Sequence, residues 1–95
     1  MSGSGPTHRA LVTIVNKRGL HARASARFVT MAAGFDARVS VSHDGASVNG
    51  GSIMGLMMFA AGPGDTIEIA ATGPEAAPAV AALAALVADG FGERD

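Results

Sequence analysis

The stretch ALVTIVNKRGLHARASARFVTMAAG, from Ala10 to Gly34, changes its periodicity midway, and that change sets the fold class. Ala10 to Val15 is β-branched and apolar on both faces, the pattern of a central strand. Asn16-Lys17-Arg18-Gly19 breaks it as a loop. From His21 onward Ser25, Phe28, Val29 and Ala32 recur along one face at helical spacing, and Gly34 supplies the stop. A strand therefore feeds a helix through a short glycine-containing loop.

Downstream the period returns to two. Ala37, Val39 and Val41 alternate with Arg38, Ser40 and Ser42, a strand with one wet face. His43-Asp44-Gly45 reads as a hairpin turn, because Asp-Gly accepts positive φ, and Ala46 to Asn49 is the returning strand. After Gly50-Gly51, Ser52 occupies a helix N-cap position ahead of Ile53-Met54-Gly55-Leu56-Met57-Met58-Phe59. Gly62-Pro63-Gly64-Asp65 turns into the alternating strand Thr66 to Ala71. The last helix starts between Pro74 and Ala77, which leaves Pro78 in its tolerant first turn; Val80, Leu83, Ala84 and Val87 form its buried stripe, and Phe91 closes it. The order β-α-β-β-α-β-α predicts an α+β, two-layer open-faced β-sandwich. Its four-stranded antiparallel sheet would be covered on one face by three helices.

The chain has 95 residues, room for one domain, and 48% apolar against 16% charged residues, enough to build a core. Residues 1–8 read as a flexible tail and 9–92 as the single domain. Seven Lys and Arg against eight Asp and Glu leave a formal charge of -1, with no basic excess to hold nucleic acid. Cysteine is absent, which excludes disulfides, thiolate metal sites and cysteine nucleophiles. The apolar runs Ile53 to Ala61 and Ala76 to Ala88 are too short or too proline-interrupted to cross a bilayer. A soluble, cytoplasmic protein is expected, with no membrane partner, no cofactor and no metal.

Three histidines differ in setting. His8 lies beside the tail and His43 at a hairpin tip. His21 stands where a glycine-containing loop meets a helix, with Arg23 two residues on. A helix start carries about half a positive charge and points free amides at whatever sits there. That field leaves an imidazole its lone pair and favours a phosphoryl dianion once one is attached. Phosphate chemistry and simple helix capping both fit this spacing.

Gly19-Leu20-His21-Ala22-Arg23 resembles the active-site signature of HPr, the histidine phosphocarrier family of bacterial phosphoenolpyruvate-dependent phosphotransferase systems. Ser52-Ile53-Met54-Gly55-Leu56-Met57 resembles the family's second signature, around a regulatory serine. The resemblance runs from about Ala10 to Phe91 and is greatest to the nitrogen-related branch of α-proteobacteria. It implies a phosphocarrier, not an enzyme. Enzyme I would charge Nδ1 of His21, and His21 would pass the phosphoryl group to a histidine of an enzyme IIA-type acceptor. His21 and Arg23 would be the catalytic pair, and Ala22 and Arg23 would bind the phosphoryl oxygens. Ser52 would be a regulatory phosphorylation site, with an HPr kinase/phosphorylase as a further partner. Ile53, Met54 and Met57 would be the partner-binding residues of a monomer that docks transiently. The family commonly has proline after the arginine; here Ala24 stands there, and Arg18 precedes Gly19 where a small polar residue is usual. A competing reading is a regulatory binding module controlled by Ser52, with His21 idle.

Overall fold

Seven elements follow one another as the sequence predicts: β1 (His8–Thr13), α1 (Ala22–Ala32), β2 (Arg38–His43), β3 (Ala46–Asn49), α2 (Ile53–Met58), β4 (Thr66–Thr72) and α3 (Ala76–Ala88). A three-residue turn, Gly90–Gly92, follows α3. The computed structural model describes residues 6–93; the first five residues of the expected tail lie outside them. Strand pairing reaches back to His8, opposite Ala71, so the segment expected as tail ends in sheet.

All strand pairs are antiparallel, in the order β1-β4-β2-β3. β1 is therefore an edge strand, a correction to its reading as central. Its side chains alternate in burial: Ala10, Val12 and Ile14 turn toward the core, while Leu11 is 74% exposed on the far face and Val15 beyond the strand is 56% exposed. Apolar residues on both faces imply burial on both sides, but here one face of β1 is left in solvent.

Val39, Val41, Ile67, Ile69 and Ala71 form the buried face of the sheet. Against it lie Phe28 of α1, Leu56 of α2, and Ala79, Leu83 and Val87 of α3, all fully buried. The α1 stripe holds Ala24, Ser25, Phe28 and Ala32; Val29 is only partly buried. Gly34 follows α1 with no positive φ, and the exit runs through Ala33 in ordinary right-handed geometry. So the helix does not stop on a left-handed glycine, as Gly34 suggested. Asp44 and Gly45, at φ +51° and +80°, make the expected hairpin turn. Glu75 caps α3 with no side-chain bond to it; its carboxylate and amide instead bind the backbone of Asp36, tying α3 to the loop after α1.

Phe28→Ala removes a ring that is 0% exposed, so it should cost about 3–5 kcal/mol of unfolding free energy. Leu11→Ala, on the solvent side of β1, should stay within about 0.5 kcal/mol of the parent. Urea denaturation of both variants checks the assignment of the two sheet faces.

Candidate functional site

The loop ahead of α1 is shaped by a backbone-to-backbone approach. Gly19 has φ +60°, and a Cβ there would sit 2.1 Å from the carbonyl oxygen of Ala61. Only glycine fits both the conformation and the space. The next amide, of Leu20, donates to that same carbonyl at 3.0 Å. The loop is thus stitched to the segment just past α2, and the start of α1 adjoins the end of α2.

His21 is the N-cap of α1. Its backbone is extended, its carbonyl accepts from the Ser25 amide at 2.9 Å, and its ring Nδ1 accepts from the Arg23 amide at 3.2 Å. Ser25, fully buried, donates from Oγ to the Leu20 carbonyl at 3.1 Å and holds the turn from below. Because Nδ1 accepts, the ring proton sits on Nε2, which donates to Glu93 Oε2 at 2.5 Å. Glu93 Oε1 accepts from Asn16 Nδ2 at 3.0 Å. The Nδ1 lone pair therefore points into the first turn of α1, where Ala22 and Arg23 begin the helix and carry amides with no intrahelical acceptor. The Arg23 side chain is exposed beside them.

Burial of the Glu93 carboxyl works to raise its pKa. The hydrogen bonds from Asn16 and His21, with the electrostatic attraction of the His21 ring and of Arg23, outweigh it and hold the group below the ordinary value of 4.5.

His21, Ala22 and Arg23 stand together at the start of α1, and the structure adds two residues that sequence reasoning missed. Asn16 reads from the sequence only as part of a loop. Glu93 lay one residue outside the expected domain, 9–92, and the pairing of Gly90 and Gly92 around Phe91 was the one signal of a tight return there. His43 ends β2 at the hairpin, where its Nδ1 donates to the Thr66 carbonyl at 3.1 Å and the ring meets Phe59 edge-on.

Ser52 caps α2, its Oγ accepting from the Gly55 amide at 3.0 Å. It lies at the opposite end of α2 from the Gly19 loop, so the two motifs share a helix pair without forming one site. Leu56 is buried and Phe59 packs partly on the core. Ile53, Met54 and Met57 are 39%, 68% and 37% exposed, and Met58, which the sequence reading passed over, is 80% exposed. Among the described residues no group of three His, Asp or Glu side chains is placed to hold a metal ion, and no helix is long and apolar enough to cross a membrane.

The family model for the PTS HPr component phosphorylation site matches residues 9–89. The chain is 49% identical over 81 residues to the phosphocarrier protein HPr of Cupriavidus necator, covering 85% of this chain and 91% of that protein. It is 39% identical over 88 residues to the phosphocarrier protein NPr of Escherichia coli, covering 92% and 98%. The crystal structure of HPr-C-His from Thermoanaerobacter tengcongensis superposes with a TM-score of 0.87 at 36% identity, over 93% of this chain and 99% of that one.

Ser52→Ala removes the α2 cap and should cost about 1 kcal/mol of stability, with Ser52→Asp recovering most of it; thermal denaturation of the pair checks this. Because the folded-state pKa of Glu93 is depressed, its contact stabilises the protein above 4.5 and is lost only as pH falls through the lower, folded value. In an NMR titration the Glu93 side-chain carboxyl carbon should show a midpoint below 4.5; a midpoint at or above the ordinary value contradicts the geometry.

Proposed function

This chain belongs to the HPr family, phosphocarriers of the phosphotransferase system that are not themselves enzymes, and on that premise we propose that it carries its phosphoryl group on Nδ1 of His21. Enzyme I, charged by phosphoenolpyruvate, is the donor. A histidine of an enzyme IIA-type protein is the acceptor.

The observation that carries this reading is the direction of the Nδ1 lone pair. It meets the Arg23 amide at 3.2 Å, so a phosphoryl group bonded there would place its oxygens among the first-turn amides of α1. The Arg23 amide would pass from ring nitrogen to phosphoryl oxygen, the Ala22 amide would join it, and the exposed guanidinium of Arg23 would swing in. In the transfer the Nδ1 lone pair forms the new N–P bond. The donor's N–P bond breaks, and its electron pair returns to the donor imidazole. No proton has to leave His21, because Nδ1 carries none. Passing the group on reverses these steps.

The exposed side chains of Ile53, Met54 and Met57 on α2 provide an adaptable apolar docking face for successive partners. Ser52 starts that same helix, so a phosphate on its Oγ, placed there by an HPr kinase/phosphorylase, would put a dianion at the edge of the face and weaken docking. The helix-start position would itself tolerate the charge. The GLHARAS and SIMGLMM motifs and the likeness to the E. coli protein NPr support placement in the nitrogen-related branch. We read the protein as a cytoplasmic monomer.

Intact-mass analysis after incubation with enzyme I and phosphoenolpyruvate should show one added, acid-labile phosphate on the parent and none on His21→Ala. Arg23→Ala should charge about a hundredfold more slowly. If the parent stays unlabelled beside a demonstrably charged enzyme I, the carrier reading fails.

A further inference from the structure

The end of the chain returns to His21 by an unusual route. Gly90, Phe91 and Gly92 have φ of +66°, +59° and +75°, three left-handed residues in succession. Phe91 carries a side chain in a conformation that L residues rarely adopt. Two anchors hold it there. Its ring is fully buried in the core, and its carbonyl accepts a hydrogen bond from the Arg27 guanidinium. The turn so fixed delivers Glu93 to the start of α1.

There, among the described residues, the groups that face the Glu93 carboxylate at hydrogen-bond distance are both donors: Asn16 Nδ2 at 3.0 Å and His21 Nε2 at 2.5 Å. Among the described residues the charged group next nearest in effect is Arg23, a cation. The orientation of Asn16 is settled by its second bond, from the same Nδ2 to the Gly19 carbonyl at 2.9 Å. Its Oδ1 is left buried with no partner among the described residues. An unpaired buried acceptor is costly, yet turning the amide over would set that oxygen against two other acceptors. So the Gly19 carbonyl, Asn16, Glu93 and His21 form one chain in which every proton has a defined place.

Building on the carrier reading above, we propose that Glu93 is a positioning residue for phosphoryl transfer, holding the His21 ring as its Nε2–H tautomer with Nδ1 open and offsetting the charge that forms on the ring. When Nδ1 bonds phosphorus and the donor's N–P bond breaks, the proton stays on Nε2, and the ring becomes a phosphorylated cation. The carboxylate already stands against that proton. A buried carboxylate plays the same part toward the histidine of serine-protease triads, fixing the tautomer and stabilising the imidazolium without taking the proton.

Glu93→Gln tests this directly. Whichever way the new amide turns, its NH2 faces either Asn16 Nδ2 or the His21 Nε2–H, donor against donor. Nitrogen-15 NMR of the parent ring should show the Nε2–H tautomer alone, and Glu93→Gln should show a mixture with Nδ1–H. In single-turnover transfer from charged enzyme I, Glu93→Gln should be about tenfold slower or more, the loss falling on the limiting rate and not on the half-saturating concentration. Glu93→Ala, which introduces no clash of donors, should also be slowed, and circular dichroism confirms that both variants fold. A folded Glu93→Gln with the parent's tautomer and the parent's rate overturns the inference. A parent that takes no phosphoryl group overturns the carrier reading instead, and the ring tautomer, recorded without enzyme I, still decides whether Glu93 positions His21.

Discussion

The approach of Gly19 to the Ala61 carbonyl is the constraint on which the site depends. With no Cβ and a positive φ, Gly19 lets two backbones touch, and the Leu20 amide then binds the same carbonyl. That contact fixes where α1 begins relative to α2. It also aims the Gly19 carbonyl at Asn16, whose side chain reaches Glu93, which in turn reaches the His21 ring. A methyl group at position 19 would push the loop from α2 and move every later member of the chain. The packing of Phe28, Leu56 and Leu83 against the sheet supplies the stability, but it does not by itself orient the ring.

Both residues proposed to take a phosphoryl group are side-chain N-caps. His21 accepts an amide proton at Nδ1, and Ser52 accepts one at Oγ. The atom that would take the phosphoryl group is in each case the atom that now satisfies the helix start. Phosphorylation therefore exchanges one acceptor for several stronger ones at a place where the backbone already offers donors. The fold has little to lose from either proposed modification.

Much of this was legible in the residues. Alternation in Val39 to Val41 and Ile67 to Ile69, helical spacing through Ser25 to Ala32, and the Asp44-Gly45 turn each gave the element that formed. The helix caps His21 and Ser52 were legible because capping depends on local chain geometry. β1 was misread because alternation records which side chains turn inward within a strand, whereas edge or centre depends on which strands flank it. Leu11 and Val15 are apolar for no reason that burial supplies. Asn16 and Glu93 were missed because their bond spans 77 positions in the chain, and no local pattern encodes such a meeting.

The sequence by itself determined the order of the elements, the class of fold, the histidine at a helix start and the serine at another. These follow from steric and hydrogen-bonding preferences that act over a few residues. The tertiary structure alone decided strand order, which methionines of α2 face solvent, and the second hydrogen bond on the His21 ring. That last feature depends on a left-handed turn held by the burial of Phe91, so the tautomer of the ring is set by packing at the far end of the chain.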